Sequence, residues 1–180
     1  CVAVISSGVS TFCTGFMVNN TSQDRTPFFM TANHCGITSG NAASLVTYWH
    51  YQNSYCRVPG SGDSGSQGDG SLALFNTGAT HLSSGSASDY TLVVLNTAPD
   101  EAWEISYCGW DASGADASSA IAIHQPSTDE KRISFEDQPT TTTAYLGESI
   151  PGDGTHVRVE DWDLGTTEPG SSGSPLFNQD

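Results

Sequence analysis

Three short segments of the sequence carry side chains that together could perform nucleophilic catalysis. An apolar run from Phe28 ends in His34, Asp89 stands just ahead of another apolar run, and Ser172 lies in a Gly/Ser turn. A serine hydroxyl becomes an effective nucleophile when a base takes its proton, a third group orients that base and donors stabilise the developing oxyanion. Each segment alone is more typical of a strand end or a turn. Taken together, in the order His, Asp, Ser, they indicate hydrolysis through an activated serine.

The composition narrows the class of protein to which these segments belong. The 180 residues carry 20 acidic and five basic side chains, a formal net charge of −15. Because nucleic-acid binding requires clustered cations, this charge excludes a nucleic-acid partner. No apolar run approaches the roughly 20 residues of a membrane-spanning helix, so no membrane association is expected. The sequence predicts an acidic globular protein with enough residues for a sizeable core.

Short apolar runs, many of them alternating, recur every 8–15 residues between turn residues, and this spacing predicts an all-β, antiparallel fold. No helical stripe exceeds about two turns, and only Ala32–Cys35 could form a single one. The core signal is thinnest near residue 99, which places a boundary between units 1–98 and 99–180. The predicted strands are Val2–Ser6, Phe12–Val18, Phe28–Thr31, Leu45–Trp49, Ser71–Phe75, Tyr90–Leu95, Glu104–Gly109, Ala120–His124, Arg132–Phe135, Thr142–Leu146, His156–Trp162 and Gly173–Phe177.

The cysteines, the remaining histidines and an Asp/Gly-rich loop give no sign of a metal site. Five cysteines lack any C-x-x-C pair, so disulfides in an oxidising compartment are favoured over zinc, and at least one thiol has no partner within the chain. The Gly60–Gly70 loop lacks the ligand spacing of an EF-hand and is interpreted as a solvated turn. We expect neither a metal nor a cofactor. The other histidines share no ligand spacing and are interpreted as packed or strand-end residues: His50, His81, His124 and His156.

The three segments resemble the sequence motifs of chymotrypsin-like serine proteases. Thr31–Cys35 (TANHC) is similar to the TAxHC motif, the SDYTL segment from Ser88 to their aspartate segment, and the GSSGSPL segment from Gly170 to GDSGGPL. Further phrases along nearly the whole chain resemble the bacterial lysyl endopeptidase branch. The resemblance implies two antiparallel Greek-key β-barrels of the chymotrypsin type, one in 1–98 with His34 and Asp89, the other in 99–180 with Ser172.

Carried over position by position, the resemblance implies a role for each residue of the motifs. Ser172 would be the nucleophile, His34 the general base and acid, and Asp89 the group that orients the imidazole. The backbone N–H groups of Gly170 and Ser172 would form the oxyanion hole. Ser171 stands where many relatives have an aspartate that pairs with a newly formed N-terminus, so activation by that ion pair cannot operate here.

The family resemblance also implies disulfides. Cys13 and Cys35 would be paired next to His34, which closes a loop of about twenty residues and contributes about 3 kcal/mol. Cys56 resembles a family cysteine bonded near the N-terminus, so Cys1–Cys56 is one option. No partner for Cys108 is evident from the sequence.

The resemblance implies a secreted, monomeric endopeptidase that cleaves proteins or peptides after lysine. Lys131 is the only lysine in the chain, as expected for an enzyme that would digest its own accessible lysines. The family's pocket residues come after the last residue, Asp180, so a C-terminal segment of the second barrel would be missing and the piece alone unstable or inactive. Specificity for Glu or Arg, or a catalytically silent homologue acting as a binding module, are the alternatives.

Overall fold

The computed structural model describes residues 1–147 and 149–179. Glu148 lies outside the described residues, as does Asp180, the last residue of the predicted second unit. Antiparallel strands and short 3₁₀ turns make up the regular structure of the described part. One of these turns, Asn33–Cys35, lies within the segment where the sequence allowed a single helical turn. The prediction of an all-β fold is confirmed.

Residues 2–95 form a seven-stranded antiparallel sheet. In chain order its strands are β1 (Val2–Ser6), β2 (Thr11–Met17), β3 (Phe28–Ala32), β4 (Val46–Trp49), β5 (Phe75–Thr77), β6 (Ala79–Gly85) and β7 (Tyr90–Leu95). Their order across the sheet is β5-β4-β1-β2-β3-β7-β6. Strands β3 and β7 are neighbours in register from Phe28 with Val94 to Ala32 with Tyr90. This pairing brings the end of β3, which precedes His34, beside the start of β7, which follows Asp89.

The strands of residues 120–177 form two smaller antiparallel sheets. They are β8 (Ala120–His124), β9 (Arg132–Glu136), β10 (Thr141–Thr143), β11 (His156–Arg158) and β12 (Leu176–Phe177). One sheet has the order β12-β8-β9 and the other pairs β10 with β11. Strand β12 follows the Ser172 turn and pairs with β8, Leu176 opposite Ala122. The strand that follows Ser172 is therefore held at the edge of this sheet by the central strand β8.

The core of the seven-stranded sheet lies between large apolar side chains from β1 to β4. Ile5, Met17, Phe29 and Trp49 are fully buried, and the Phe29 and Trp49 rings meet edge to face with centroids 6.0 Å apart. The indole N–H of Trp49 donates to Asn76 Oδ1 at 2.7 Å, so the one polar group of this side chain is satisfied in the core. The core thus holds the strands that lead to His34.

Two strand predictions were wrong and one strand was missed, and each error has a local physical cause. Ser71–Phe75 was expected to be a strand, but residues 71–73 are exposed and the strand starts at Phe75. Glu104–Gly109 forms only one bridge, between Cys108 and Val18, because Glu104 ends a 3₁₀ turn in the left-handed region. Strand β6 was missed because Ala79–Gly85 is largely polar, and it forms as an edge strand along β7.

Several of the other predicted strands end earlier or start later than expected. The Thr142–Leu146 and His156–Trp162 predictions reduce to β10 and β11. The Gly173–Phe177 prediction reduces to β12, since Gly173 has φ +85° and residues 171–174 form a turn. The turn residues thus cut these strands short.

The disulfide option Cys1–Cys56 is wrong. Cys1 pairs with Cys108, Cys13 pairs with Cys35, and Cys56 is an exposed free thiol. Both Cys1 and Cys108 flank one backbone position, because Met17 N–H donates to Cys1 O and Met17 O accepts from Cys108 N–H, each at 2.9 Å. The contact that determines this pairing is made through the sheet and was not visible in the cysteine spacing.

None of the helices among the described residues is long and apolar enough to cross a membrane. Among the same residues, no group of three or more His, Cys, Asp or Glu side chains could hold a metal ion.

Candidate active site

His34 and Asp89 are joined by two hydrogen bonds where β3 and β7 meet. Asp89 Oδ2 lies 2.6 Å from His34 Nδ1, and Asp89 Oδ1 accepts from the His34 backbone N–H at 2.8 Å. The Asp89 carbonyl also accepts from Asn33 N–H at 2.9 Å. Asp89 has φ +51°, an uncommon conformation outside glycine, which turns its carboxylate and its carbonyl towards the same 3₁₀ turn. One residue thus holds both the ring and the backbone of His34.

The pair leaves the second ring nitrogen of His34 able to accept a proton. An ionised carboxylate only accepts hydrogen bonds, so the proton of the neutral imidazole is on Nδ1 and Nε2 carries a lone pair. The His34 side chain is 54% exposed, whereas that of Asp89 is 25% exposed. The His34 ring is therefore accessible, and the carboxylate that contacts it is more shielded.

Ser172 lies in a tight turn with two glycines in the left-handed region. Gly170 has φ +96° and Gly173 φ +85°. Ser171 N–H donates to Glu168 O at 3.0 Å and Ser174 N–H to Ser171 O at 3.1 Å. Within the described residues, the N–H groups of Gly170 and Ser172 donate no hydrogen bond. Two free donors that flank one residue suit the binding of a developing oxyanion.

The position of Gly170 tolerates no side chain. A Cβ there would lie 2.5 Å from Thr128 N and 3.0 Å from Gln125 O, in the loop after β8. On the other side, the Gly170 carbonyl accepts from Thr14 Oγ1 of β2 at 2.8 Å. The turn is therefore held between the two halves of the chain.

The Ser172 turn packs against the strands that lead to His34. Thr14 N–H donates to Ser172 O at 2.9 Å, and Cys35 Sγ lies 3.7 Å from the same carbonyl oxygen. A Cβ on Gly173 would lie 2.3 Å from Thr14 O and 2.8 Å from Ala32 N. The structure thus brings the Ser172 backbone beside the 3₁₀ turn of His34. In the described part of the chain, no hydrogen bond joins the Ser172 hydroxyl to the His34 ring.

The Cys13–Cys35 disulfide ties this arrangement together. It links β2, which carries Thr14, to the 3₁₀ turn that contains His34. Its two ends adjoin Thr14, which contacts the Ser172 turn, and His34. The disulfide is thus placed to fix the distance between the His34 turn and the Ser172 turn.

One buried histidine was interpreted from the sequence only as a packed residue. His124, at the end of β8, is completely buried, and its Nδ1 lies 2.8 Å from the hydroxyl of Ser171. Its only sequence signal was that it ends an alternating strand. The remaining histidines, His50, His81 and His156, have no hydrogen bond to the three segments in the described residues.

Comparison with known proteins identifies the family of this chain. The model of the family described as "Lysyl endopeptidase, C-terminal domain" matches residues 1–180. The chain belongs to the lysyl endopeptidase family. It is 31% identical over 173 residues, 96% of its length, to the lysyl endopeptidase of Pseudomonas aeruginosa. The chain spans 35% of the length of that relative.

Solved structures show the fold of this lysyl endopeptidase family member. A thermostable serine protease, AL20, from an extremophilic microorganism aligns with TM-score 0.57 and 16% identity, covering 99% of this chain and 78% of the other. An inactive mutant form of Rv3671c from M. tuberculosis H37Rv aligns with TM-score 0.52 and 17% identity, covering 98% and 68%. The fold is therefore of the chymotrypsin-like, all-β type.

Proposed function

We propose that the protein is a serine endopeptidase whose catalytic triad is His34, Asp89 and Ser172. The observation that carries the proposal is the His34–Asp89 pair, which two hydrogen bonds join and which lies beside the Ser172 turn. Units 1–98 and 99–180 would be two β-barrels, with the active site in the cleft between them. The division is supported by the strands, since no sheet of the described residues combines strands from both units.

The geometry supports hydrolysis through an acyl-enzyme. As a substrate carbonyl enters, the Ser172 hydroxyl attacks its carbon while His34 Nε2 takes the hydroxyl proton. Asp89 stabilises the resulting imidazolium, and the N–H groups of Gly170 and Ser172 bind the oxyanion. His34 then protonates the leaving amine, and a water repeats the sequence to release the acyl group. Catalytic hydrogen bonds often tighten only with substrate bound, so the Ser172–His34 bond would form in the complex.

Labelling with a phosphonofluoridate tests the proposed mechanism. The full-length protein should react covalently at Ser172 and lose peptidase activity, and Ser172→Ala should neither react nor hydrolyse peptides. Ser88→Ala, which removes an exposed serine next to Asp89, is the matched control and should react like the wild type. A wild-type protein that is not labelled at Ser172 would support the alternative of a silent homologue acting as a binding module.

We infer that the enzyme cleaves after lysine, as the name of its Pseudomonas relative suggests. The composition supports this inference, since Lys131 is the only lysine in 180 residues whereas four arginines are present. Lys131 is also protected, because its Nζ donates to Gln52 Oε1 at 3.1 Å and its N–H to Tyr51 O at 2.8 Å. An enzyme specific for arginine or glutamate would gain nothing from lysine depletion.

Peptide anilides that differ only in the residue before the scissile bond test this specificity. With Lys, Arg and Glu series of otherwise identical sequence, kcat/KM should be highest for Lys by at least about 100-fold, the scale set by one matched charged contact. Preference for Arg or Glu would reject lysine specificity and leave the serine protease proposal standing.

We propose further that the enzyme acts outside the cell as a monomer on protein or peptide substrates. Its two disulfides support an oxidising compartment. Its net charge of −15 supports mutual repulsion between copies. We also propose that other residues cover the apolar side chains that the second unit exposes, among them Val157 and Leu176.

A further inference from the structure

His124 has hydrogen-bond partners on both ring nitrogens. The ring is completely buried, with Nδ1 2.8 Å from Ser171 Oγ and Nε2 3.0 Å from Ser134 Oγ. Ser171 lies in the Ser172 turn, 47 residues from His124, and Ser134 lies on the neighbouring strand β9. The ring therefore bridges the β8–β9 sheet and the turn that carries the proposed nucleophile.

The surrounding hydrogen bonds determine which ring nitrogen carries the proton. The Ser134 hydroxyl donates to Thr166 O at 3.0 Å, so it has no hydrogen left and accepts from His124 Nε2–H. Nδ1 is then the acceptor, and the Ser171 hydroxyl donates to it. The Ser171 oxygen in turn accepts from Glu168 N–H at 3.2 Å. Each donor in the chain has one acceptor, with the imidazole neutral.

The charged groups around His124 also favour the neutral ring. Burial, and secondly Arg132 opposite it on β9, lower the pKa of His124, while Glu168 in the turn acts in the other direction. A protonated ring would direct Nδ1–H at the Ser171 hydroxyl, whose own hydrogen would then lose its acceptor. The network is thus complete only with neutral His124.

Ser171 stands between the two proposed oxyanion donors. Its N–H donates to Glu168 O, the residue as a whole is 8% exposed, and its hydroxyl contacts His124 of β8. The side chain of Ser171 therefore points into the protein, while the N–H groups of Gly170 and Ser172 on either side donate to no group among residues 1–147 and 149–179. Rotation of Ser171 would move both donors together.

We propose that His124 is a positioning residue, which holds the oxyanion-binding turn through its hydrogen bond from the Ser171 hydroxyl. The inference rests on the proposed serine protease function. The anchor is neutral and lies wholly within the chain, so it orders the turn without an ion pair to a chain terminus. His124 itself touches neither the substrate nor the reacting atoms.

Ser171→Ala tests the proposal, with Ser134→Ala as the matched control. Both variants delete one hydroxyl that contacts the His124 ring. Only Ser171→Ala removes the hydrogen bond between that ring and the Ser172 turn. In full-length enzyme, Ser171→Ala should lower kcat about 10- to 100-fold with little change in KM, since misplaced donors fail the transition state rather than the ground state. Ser134→Ala should keep kcat within about threefold of the wild-type value, which is clearly less than the loss expected for Ser171→Ala. This holds even if Ser134→Ala lowers the unfolding temperature.

A pair of ligands separates positioning from a general loss of structure. A peptide aldehyde forms a tetrahedral adduct that needs the oxyanion donors, whereas the matching peptide alcohol has no carbonyl to attack and binds without reaction. Ser171→Ala should weaken aldehyde binding about tenfold or more, by the same transition-state argument, and leave alcohol binding unchanged. His124→Phe should behave like Ser171→Ala, and His124→Asn, whose amide oxygen can still accept from Ser171, should retain most of the aldehyde affinity.

The outcomes distinguish this inference from the function on which it rests. If the wild type turns over peptides and Ser171→Ala matches Ser134→Ala in kcat and in aldehyde affinity, the positioning role is overturned and the protease function stands. Equal losses for the aldehyde and the alcohol would also overturn it, because they indicate general disorder. A wild type that neither turns over peptides nor binds the aldehyde overturns both.

Discussion

At the scale of single residues, Asp89 makes more hydrogen bonds to the His34 turn than its role in the proposed triad requires. Its carboxylate holds the His34 ring and the His34 backbone, and its carbonyl holds Asn33. Removing only its charge should therefore leave the position of His34 intact. The change should instead reduce activity, because the charge determines which nitrogen of the His34 ring carries the proton and stabilises the imidazolium.

Asp89→Asn tests this separation of position from charge. The amide oxygen can still accept from His34 N–H, while the NH₂ group faces Nδ1 and forces the proton onto Nε2. We expect kcat to fall by about 10³- to 10⁴-fold with little loss of stability. Asp100→Asn, an exposed cap of a 3₁₀ turn whose role asparagine can fill, should keep full activity. An Asp89→Asn variant with more than a tenth of wild-type kcat would contradict the assignment.

The lowered pKa of His124 also predicts how stability depends on pH. The unfolded chain binds a proton at this histidine near the ordinary pKa of 6.5, whereas the folded chain binds it only at lower pH. Folding stability should therefore fall as the pH drops below about 6.5, and His124 should contribute no pH dependence above that value. Urea unfolding of the wild type and of His124→Asn can be measured between about pH 5 and pH 8, a range that includes the ordinary pKa of histidine. The free energy of unfolding should fall less at acid pH in the variant than in the wild type.

At the scale of elements, the site depends on a junction of β2, the 3₁₀ turn Asn33–Cys35 and the Ser172 turn. Thr14 of β2 contacts the Ser172 turn through its N–H and its hydroxyl. The Cys13–Cys35 disulfide joins that strand to the turn carrying His34. The disulfide therefore acts on the relative position of two elements as well as on the unfolded chain.

The Cys13→Ala/Cys35→Ala double variant measures both effects. It should lose about 3 kcal/mol of unfolding free energy, as expected for a 22-residue separation, and also lower kcat in the remaining folded protein. Urea unfolding and active-site titration separate the two losses. Cys56→Ala, which removes an exposed free thiol, should change neither. Full kcat per folded molecule in the double variant would show that the disulfide only stabilises the fold.

At the scale of the whole molecule, the fold protects the one lysine at which the proposed enzyme could cut this chain. The Lys131–Arg132 bond enters β9, where Arg132 pairs with His124 of β8. Burial lowers the pKa of the Lys131 amine to about 8. A protease must bind several residues around the scissile bond in an extended form that is not paired with another strand. Because β9 is paired with β8, the residues after Lys131 cannot bind to a protease in this way.

Self-digestion should therefore require unfolding. Active enzyme mixed with folded Ser172→Ala chain should leave the chain intact, whereas heat-unfolded Ser172→Ala chain should be cut once within these residues, after Lys131. Mass spectrometry of the fragments is the measurement, and unfolded Ser172→Ala/Lys131→Gln chain is the control that should stay uncut. Cleavage of the folded chain at Lys131 would refute protection by the fold, and cleavage of the unfolded control after arginine would refute lysine specificity.

The local pattern of apolar and turn residues was sufficient to predict part of the fold. The predicted bounds of β1, β7 and β8 match the structure, because these strands are apolar or alternating runs that polar or turn residues end. Strand β6 escaped prediction because its stability comes from pairing with β7 rather than from its own composition. The candidate residues of the site came from short motifs, where the type and order of side chains carry the chemistry.

Residue types and their order along the chain were enough to predict an all-β fold and to nominate His34, Asp89 and Ser172. The tertiary structure alone decided that Cys1 pairs with Cys108, 107 residues away, and that His124 contacts Ser171. Such contacts depend on which strands become neighbours, and that is determined by the packing of the whole chain. A pattern read within a few residues contains no information on it.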